Sequence, residues 1–339
     1  MSRAFLVGAG ATKAQYQNSP LSDDFFLLLD NKEHPLYQHI SDTISKHLNL
    51  GPNPLNKLNI EEVMIASEIF PPAIKTSFQD TVMTAIYSLL AKETKSTEND
   101  MDKALNETVL DKPTIFNTLL RQEQLNQSDF FMTLNYDLFL DREILSLTKC
   151  IDYGIDDRFL ATPSALALSR DNTFSVYHLH GALNWLWHQD RISIKKGAVI
   201  PHARIKGYNL CLIPPGKKDI PIFLKSIWSV AKNRLMAADE LIIIGCSLNP
   251  ADNELIDLIK DFAIKRGDEC IKVIYLDKSF DPSIETIHDD YSKILGPNIK
   301  RYNHGFDLKS PDPRSGKLGA IEFILTPCSQ IKTSKHPDH

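Results

Sequence analysis

Two short strings in this sequence place reactive side chains where an apolar run gives way to a turn. The first is Phe131–Asp137, FMTLNYD, which ends in Thr133, Asn135 and Asp137. The second is Tyr177–Gly181, YHLHG, which runs through His178 and His180 into a glycine. An amide such as Asn135 can hold a sugar hydroxyl or a water, and a histidine that titrates near neutrality can take a proton from either. The same residue types also start helices, so capping is the alternative reading of Asn135 and Asp137. Strand alternation places His178 and His180 on one side of an extended chain. Such a pair can bind metal, but no cysteine or acid adjoins it in sequence to complete a zinc set, and no metal is expected. His180, at the strand end beside Gly181, is the catalytic candidate; His178 reads as buried and structural.

Two further loops offer backbone rather than side chains. Phe5–Thr12, FLVGAGAT, is a strand running into a GxG turn and a helix start. Glycines there let the chain approach a pyrophosphate closely. The hydride-transfer fingerprint requires a further glycine, but Lys13 occupies that place. No strand carrying the usual acid follows for roughly a hundred residues, so a dehydrogenase is disfavoured. Leu241–Asp252, LIIIGCSLNPAD, repeats strand-then-small-loop, with Gly245 and Ser247 fit for a phosphate or ribose and Asp252 equally an N-cap. Asp277, after Ile274-Tyr275-Leu276, either holds a ribose or caps a turn.

These residues need strands to carry them. Apolar runs of strand length occur at Ala4–Val7, Phe130–Thr133, Val176–Leu179, Leu241–Ile244 and Val273–Leu276. Such uninterrupted runs suit strands covered on both faces. Helical periodicity over Lys225–Ala238 presents Ile227, Val230, Ala231, Leu235 and Ala238, and over Asn253–Lys265 it presents Leu255, Ile256, Ile259 and Phe262. The fold class expected is α/β: a Rossmann-like, doubly wound parallel sheet with an all-helical insertion. The insertion covers 15–125, with periodicity at Asp23–Leu29, Tyr37–Leu48, Ile60–Glu68, Phe78–Ala91 and Thr114–Arg121. The sheet domain is then discontinuous, 1–14 and 126–326, and 327–339 is a polar tail expected to fray.

Bulk properties narrow the function classes. A net charge of −5 gives no electrostatic reason for direct nucleic-acid binding. The five cysteines are scattered, without a CxxC pair, which implies reduced thiols and a cytoplasmic setting. The apolar stretch at the N-terminus is too short for a signal sequence, and no run approaches the ~20 residues of a membrane span.

Taken in order, GAGAT (Gly8–Thr12), TLNYD (Thr133–Asp137), YHLHG (Tyr177–Gly181), LIPP (Leu212–Pro215) and ADELIIIGCSLNPAD (Ala238–Asp252) resemble the SIR2-like (sirtuin-fold) family, in particular its bacterial anti-phage defence branch of NAD hydrolases. The resemblance implies that Asn135 and His180 are the catalytic pair. It implies that Gly8, Ala9, Gly10 and Thr12 wrap the phosphates of NAD, and that Gly245 and Ser247 touch its adenosine half. Thr133, Asp137 and Asp277 complete the expected NAD-binding set. NAD is expected as substrate, cleaved to nicotinamide and ADP-ribose or a cyclic form. Family deacetylases carry a zinc module with paired cysteines, which this sequence lacks, so NAD+ hydrolysis is favoured over the alternatives of protein deacylase or ADP-ribosyltransferase. A non-catalytic scaffold that binds NAD or ADP-ribose is the reading from another class. The resemblance also implies a homo-oligomer or a partner defence protein of the ATPase, helicase or Argonaute type.

Overall fold

The computed structural model describes residues 1–16, 18–48, 58–106, 116, 118–119, 125–148, 150–161, 173–199, 209–215, 220–249, 252–274, 291–302 and 320–331. The chain begins with β1 (Arg3–Val7) and α1 (Ala9–Gln15). It continues through α2 (Phe25–Asn31), α3 (Tyr37–Leu48), α4 (Ile60–Ala66), α5 (Pro72–Glu93) and α6 (Glu98–Asn106). It then passes through β2 (Phe130–Thr133), α7 (Phe139–Thr148), β3 (Ile151–Asp152), β4 (Phe174–His178), β5 (Gly181–His188), β6 (Arg191–Ile194) and β7 (Asn209–Leu212). The last elements are α8 (Ile222–Ala237), β8 (Glu240–Ile244), α9 (Asn253–Arg266), β9 (Ile271–Ile274), β10 (Lys300–Tyr302) and α10 (Ala320–Leu325).

Seven of the strands form one sheet in the order β10-β9-β8-β1-β2-β4-β3, and every pairing in it is parallel. From β1 the chain moves outward through β2 and β4, then returns to the other side of β1 for β8, β9 and β10. This is the doubly wound arrangement, and its order reverses between β1 and β8. β1, β2 and β8 are buried along their length, as apolar runs covered by helices on both faces require. Phe5 stacks on Phe131 across the β1–β2 pair at 5.0 Å between centroids.

The helices α2–α5 build a second apolar cluster from Phe25, Phe26, Ile40, Ile44, Val63, Phe78, Val82 and Leu90, among others. α5 opens with Pro72 at a position where a missing N–H costs nothing. α4 is capped by Asn59, which accepts from the Glu61 amide at 2.7 Å.

Several sequence-based expectations change in detail. β4 ends at His178, so Leu179 and His180 lie in the turn beyond it. In α8 the buried face is Leu224, Ile227, Ala231 and Leu235, while Val230 faces outward at 36% exposure. The short edge strands β3 and β10 carry too few apolar residues to register as runs. A separate antiparallel sheet, β6-β5-β7, was not expected at all. Its hairpin turns through Gln189 and Asp190 at φ 45° and 63° without the glycine that normally marks such a turn.

Nor does the segment after Thr326 begin as a loose tail. Cys328 is buried and its amide donates to Glu240 at 2.5 Å. Buried Lys272 donates to Glu240 (2.8 Å) and to the carbonyls of Ile324 (2.9 Å) and Thr326 (2.7 Å).

Candidate functional site

The two glycine loops meet where the strand order reverses. Gly8 N donates to Ile244 O at 3.0 Å, and Gly10 N donates to Gly245 O at 2.8 Å. A Cβ on Gly8 would stand 2.4 Å from Cys246 Cα, and one on Gly10 would stand 2.8 Å from Gly245 O. Both glycines are therefore required for loop-to-loop contact, a cause the GxG pattern alone does not distinguish from phosphate binding. With Gly10 N so engaged and Ala11 N bonded to Gly8 O, the first turn of α1 offers less to a phosphate than the glycines imply. Ala9 and Ser247 are exposed on the rim, and Gly245 holds φ +56°. Cys246 is no nucleophile, because burial, aided by the Asp252 charge, pushes its thiol up to about 12.

The end of β2 supplies a hydrogen-bonded chain. Thr133 Oγ1 donates to Val7 O at 2.9 Å and accepts from Asn135 N at 3.0 Å. The Thr133 side chain thus ties β1 to β2 and shapes the turn. Asn135 Nδ2 donates to Thr12 Oγ1 at 3.1 Å, and Thr12 Oγ1 donates to Asp137 Oδ2 at 3.1 Å. Thr12 has a single proton; if Asp137 takes it, Asn135 has to be the donor to Thr12. That sets the amide orientation and leaves Oδ1 of half-buried Asn135 without a protein donor among the described residues. Asp137 also accepts from Phe139 N at 2.9 Å, so it does cap α7. Burial raises its carboxyl from 3.8 to about 6, against the lowering effect of Phe139, Thr12 and His178.

Beneath this lies His178, fully buried, with Nε2 2.8 Å from Asp141 Oδ2 and Nδ1 3.2 Å from Asn135 O. Tyr153 donates to the other Asp141 oxygen at 2.6 Å. Burial acts against a charged His178, but the Asp141 carboxylate and its hydrogen bond prevail and raise its pKa.

His180, just past the end of β4, is 13% exposed in its side chain, with Nε2 3.9 Å from Asp252 Oδ1. Gly181 beside it has φ +81°, and a Cβ there would stand 1.7 Å from Cys211 O. Asp252 sits at the N-cap of α9, yet its side chain makes no cap hydrogen bond. Tyr136 donates to Ile213 O at 2.5 Å, and burial together with the charges of Glu61 and Asp252 pushes its hydroxyl well up. Glu61, from α4, accepts from the Asn249 side chain, so the helical module touches the loop after β8.

Asn135, Thr12 and Asp137 are thus joined by hydrogen bonds, Gly8 and Gly10 meet Ile244 and Gly245 where the strand order reverses, and His180 is brought next to Asp252. Thr133 lies just beneath them, and Asp277 falls outside the described residues. Sequence reasoning missed Asp141, Tyr153, Glu61 and Asn249. A signal existed for Asp141: Asp141-Arg142-Glu143 interrupts an otherwise apolar helix, and all three side chains are buried. Glu61 carries no local signal, since its role depends on where the module docks. Among the described residues, no group of three or more His, Cys, Asp or Glu is placed to hold a metal ion.

Neither a family model nor a curated protein matches this sequence. Among solved structures, a SIR2 homologue in complex with NAD is similar at 16% identity, over 89% of this chain and 84% of that chain, with a TM-score of 0.46. A mutant Sir2 homologue with 2′-O-acetyl ADP ribose is similar at 15% identity, over 89% and 86%, with a TM-score of 0.43. A further Sir2 homologue mutant with ADP ribose is similar at 15% identity, over 87% and 91%, with a TM-score of 0.42. Likeness of this degree transfers no residue role and no ligand to this chain. Its own fold and crevice define the class: a doubly wound α/β protein whose polar strand ends gather at the point where the sheet reverses. Past those ends His180 stands 3.9 Å from Asp252, and the Asn135 amide is bound to Thr12.

Proposed function

We propose that this chain is an NAD+ glycohydrolase that releases nicotinamide and leaves ADP-ribose or its cyclic form. One observation carries the reading. Asn135, held through Thr12 and Asp137, and His180, 3.9 Å from Asp252, stand just past the carboxyl ends of the neighbouring parallel strands β2 and β4, the side on which a doubly wound sheet binds nucleotides. The chemistry suits these groups. Nicotinamide is bonded to ribose as a pyridinium, so the C1′–N bond breaks with its electron pair going to the ring nitrogen, and no general acid is needed. What remains is to support an oxocarbenium-like ribose and direct water to C1′. Asn135 Oδ1 accepts from a ribose hydroxyl or the water. His180 takes the proton that water loses as its oxygen bonds C1′. The loops at Gly8, Ala9, Gly10, Thr12 and at Gly245, Ser247 hold the phosphates and adenosine in this reading, with Asp277 at a ribose.

The remaining elements of the reading rest on the sequence resemblance: a cytoplasmic effector of anti-phage defence that depletes NAD, as an oligomer or with a partner. The 15–125 module is then an insertion; residues 25–91 of it build most of a second apolar cluster, which Leu183 and Leu212 join, while Met101, Phe116, Leu119 and Leu125 pack with the sheet. The test is nicotinamide release from NAD by the purified chain beside His180→Ala and Asn135→Ala. Release by the parent chain and loss of it in both variants is expected. Full activity in either folded variant overturns the assignment, and release that requires an acylated peptide makes the chain a deacylase instead.

A further inference from the structure

Both ring nitrogens of His178 face acceptors. Nδ1 meets the Asn135 carbonyl, which can only accept, at 3.2 Å. Nε2 meets Asp141 Oδ2 at 2.8 Å, while Oδ1 of that carboxylate already accepts from Tyr153. A neutral imidazole has one N–H and would leave one of these contacts without a proton. The ring is fully buried against Tyr153 and Trp185, at 6.0 and 5.5 Å between centroids, and those two rings lie 5.4 Å from each other. We propose that His178 is a fixed imidazolium whose Nδ1–H holds the backbone carbonyl of Asn135, making it the positioning residue for that amide. The inference rests on the glycohydrolase reading above.

The geometry explains how Asn135 is held. Its amide N is bound to Thr133, its side-chain Nδ2 to Thr12 and its carbonyl to His178, so Oδ1 is the group left to face the crevice. The charged and titratable groups around the ring are Asp141 on α7, Asp137 in the turn after β2, and Tyr153 after β3. Both carboxylates favour the cation. His178 does not itself reach the crevice, being fully buried.

Two measurements test this. Nitrogen NMR of the full chain labelled in histidine, with the His178 ring identified by its contacts to Tyr153 and Trp185, should show protons on both ring nitrogens at neutral pH. A nitrogen without a proton overturns the proposal, and no variant is needed to see it. In His178→Gln, kcat for nicotinamide release should fall about tenfold or more while KM for NAD stays within about twofold, since orientation rather than binding is lost. A folded variant with unchanged kcat refutes the positioning role. A parent chain that releases no nicotinamide brings down the functional reading and this role together, while the NMR result decides the imidazolium separately.

Discussion

Replacing Asp137 with asparagine should make the protein more stable and less active. The carboxyl is buried, and the fold raises its pKa from 3.8 to about 6. At 1.36 kcal/mol per pH unit, ionised Asp137 costs the folded state about 3 kcal/mol at neutral pH. A carboxyl raised in this way binds protons more tightly when folded. Stability therefore rises as pH falls from above 6 towards 4, and the penalty is gone below the unfolded pKa. Asparagine keeps the cap, since its Oδ1 can accept from Phe139 N, and its amide can donate to Thr12. The gain in Asp137→Asn is bounded by about 3 kcal/mol near pH 8 and vanishes near pH 4. Removing the charge also weakens the hold on the His178 cation, which trims the gain at neutral pH. Activity suffers because the Thr12 hydroxyl loses its acceptor, and Asn135 is no longer obliged to donate to it. Urea denaturation of both proteins at a series of pH values reads the difference. A variant less stable than the parent at pH 8, or a difference that does not change with pH, refutes the reasoning.

Gly181→Ala should cost more than about 3 kcal/mol and detach β7 from the start of β5, because its Cβ would overlap the Cys211 carbonyl and its φ is positive; thermal melting measures it. Lys272→Met leaves Glu240 buried without its cation and frees the carbonyls of Ile324 and Thr326. A loss of about 3–5 kcal/mol is expected, with proteolysis beginning in the C-terminal segment. Asp252→Asn should lower kcat for nicotinamide release, because its carboxylate stands 3.9 Å from His180 Nε2. An unchanged kcat in the folded variant would show that Asp252 does not act on His180.

The parallel sheet was legible because its central strands are uninterrupted apolar runs ending in polar residues. Val7, Thr133 and Ile244 each close a strand at the predicted place. The positions of Asn135 and His180 just past β2 and β4 were legible for the same reason, standing where those runs stop. The antiparallel sheet was not, because Asn184 is buried within β5 and bonded to Lys195 O, which breaks the alternation a strand normally shows. Asp252 was read as equally a cap, and it does occupy the cap position. Only the fold shows its carboxylate turned to His180.

The placement of the helical module follows from where its polar ends are bound. At one end Glu61 accepts from Asn249, in the loop that follows β8. At the other, Arg142 of α7 donates to Thr94 O just past α5, at 3.2 Å, while bonding Tyr16 and Glu143. The residue before Arg142 is Asp141, the partner of His178. The module is thus fastened on one side to the loop carrying Gly245 and Ser247, and on the other to the helix that anchors the support of Asn135. Apolar packing joins module and sheet as well, since Met101, Phe116, Leu119 and Leu125 lie in the sheet's cluster and Leu183 and Leu212 in the module's, so the directions of Asn135 and of the β8 loop depend on the module being seated. A chain lacking 15–125 would lose Glu61, the Thr94 contact and the packing of Phe116 on Phe131 and Phe139, and with them the fixed geometry around Asn135 and the β8 loop.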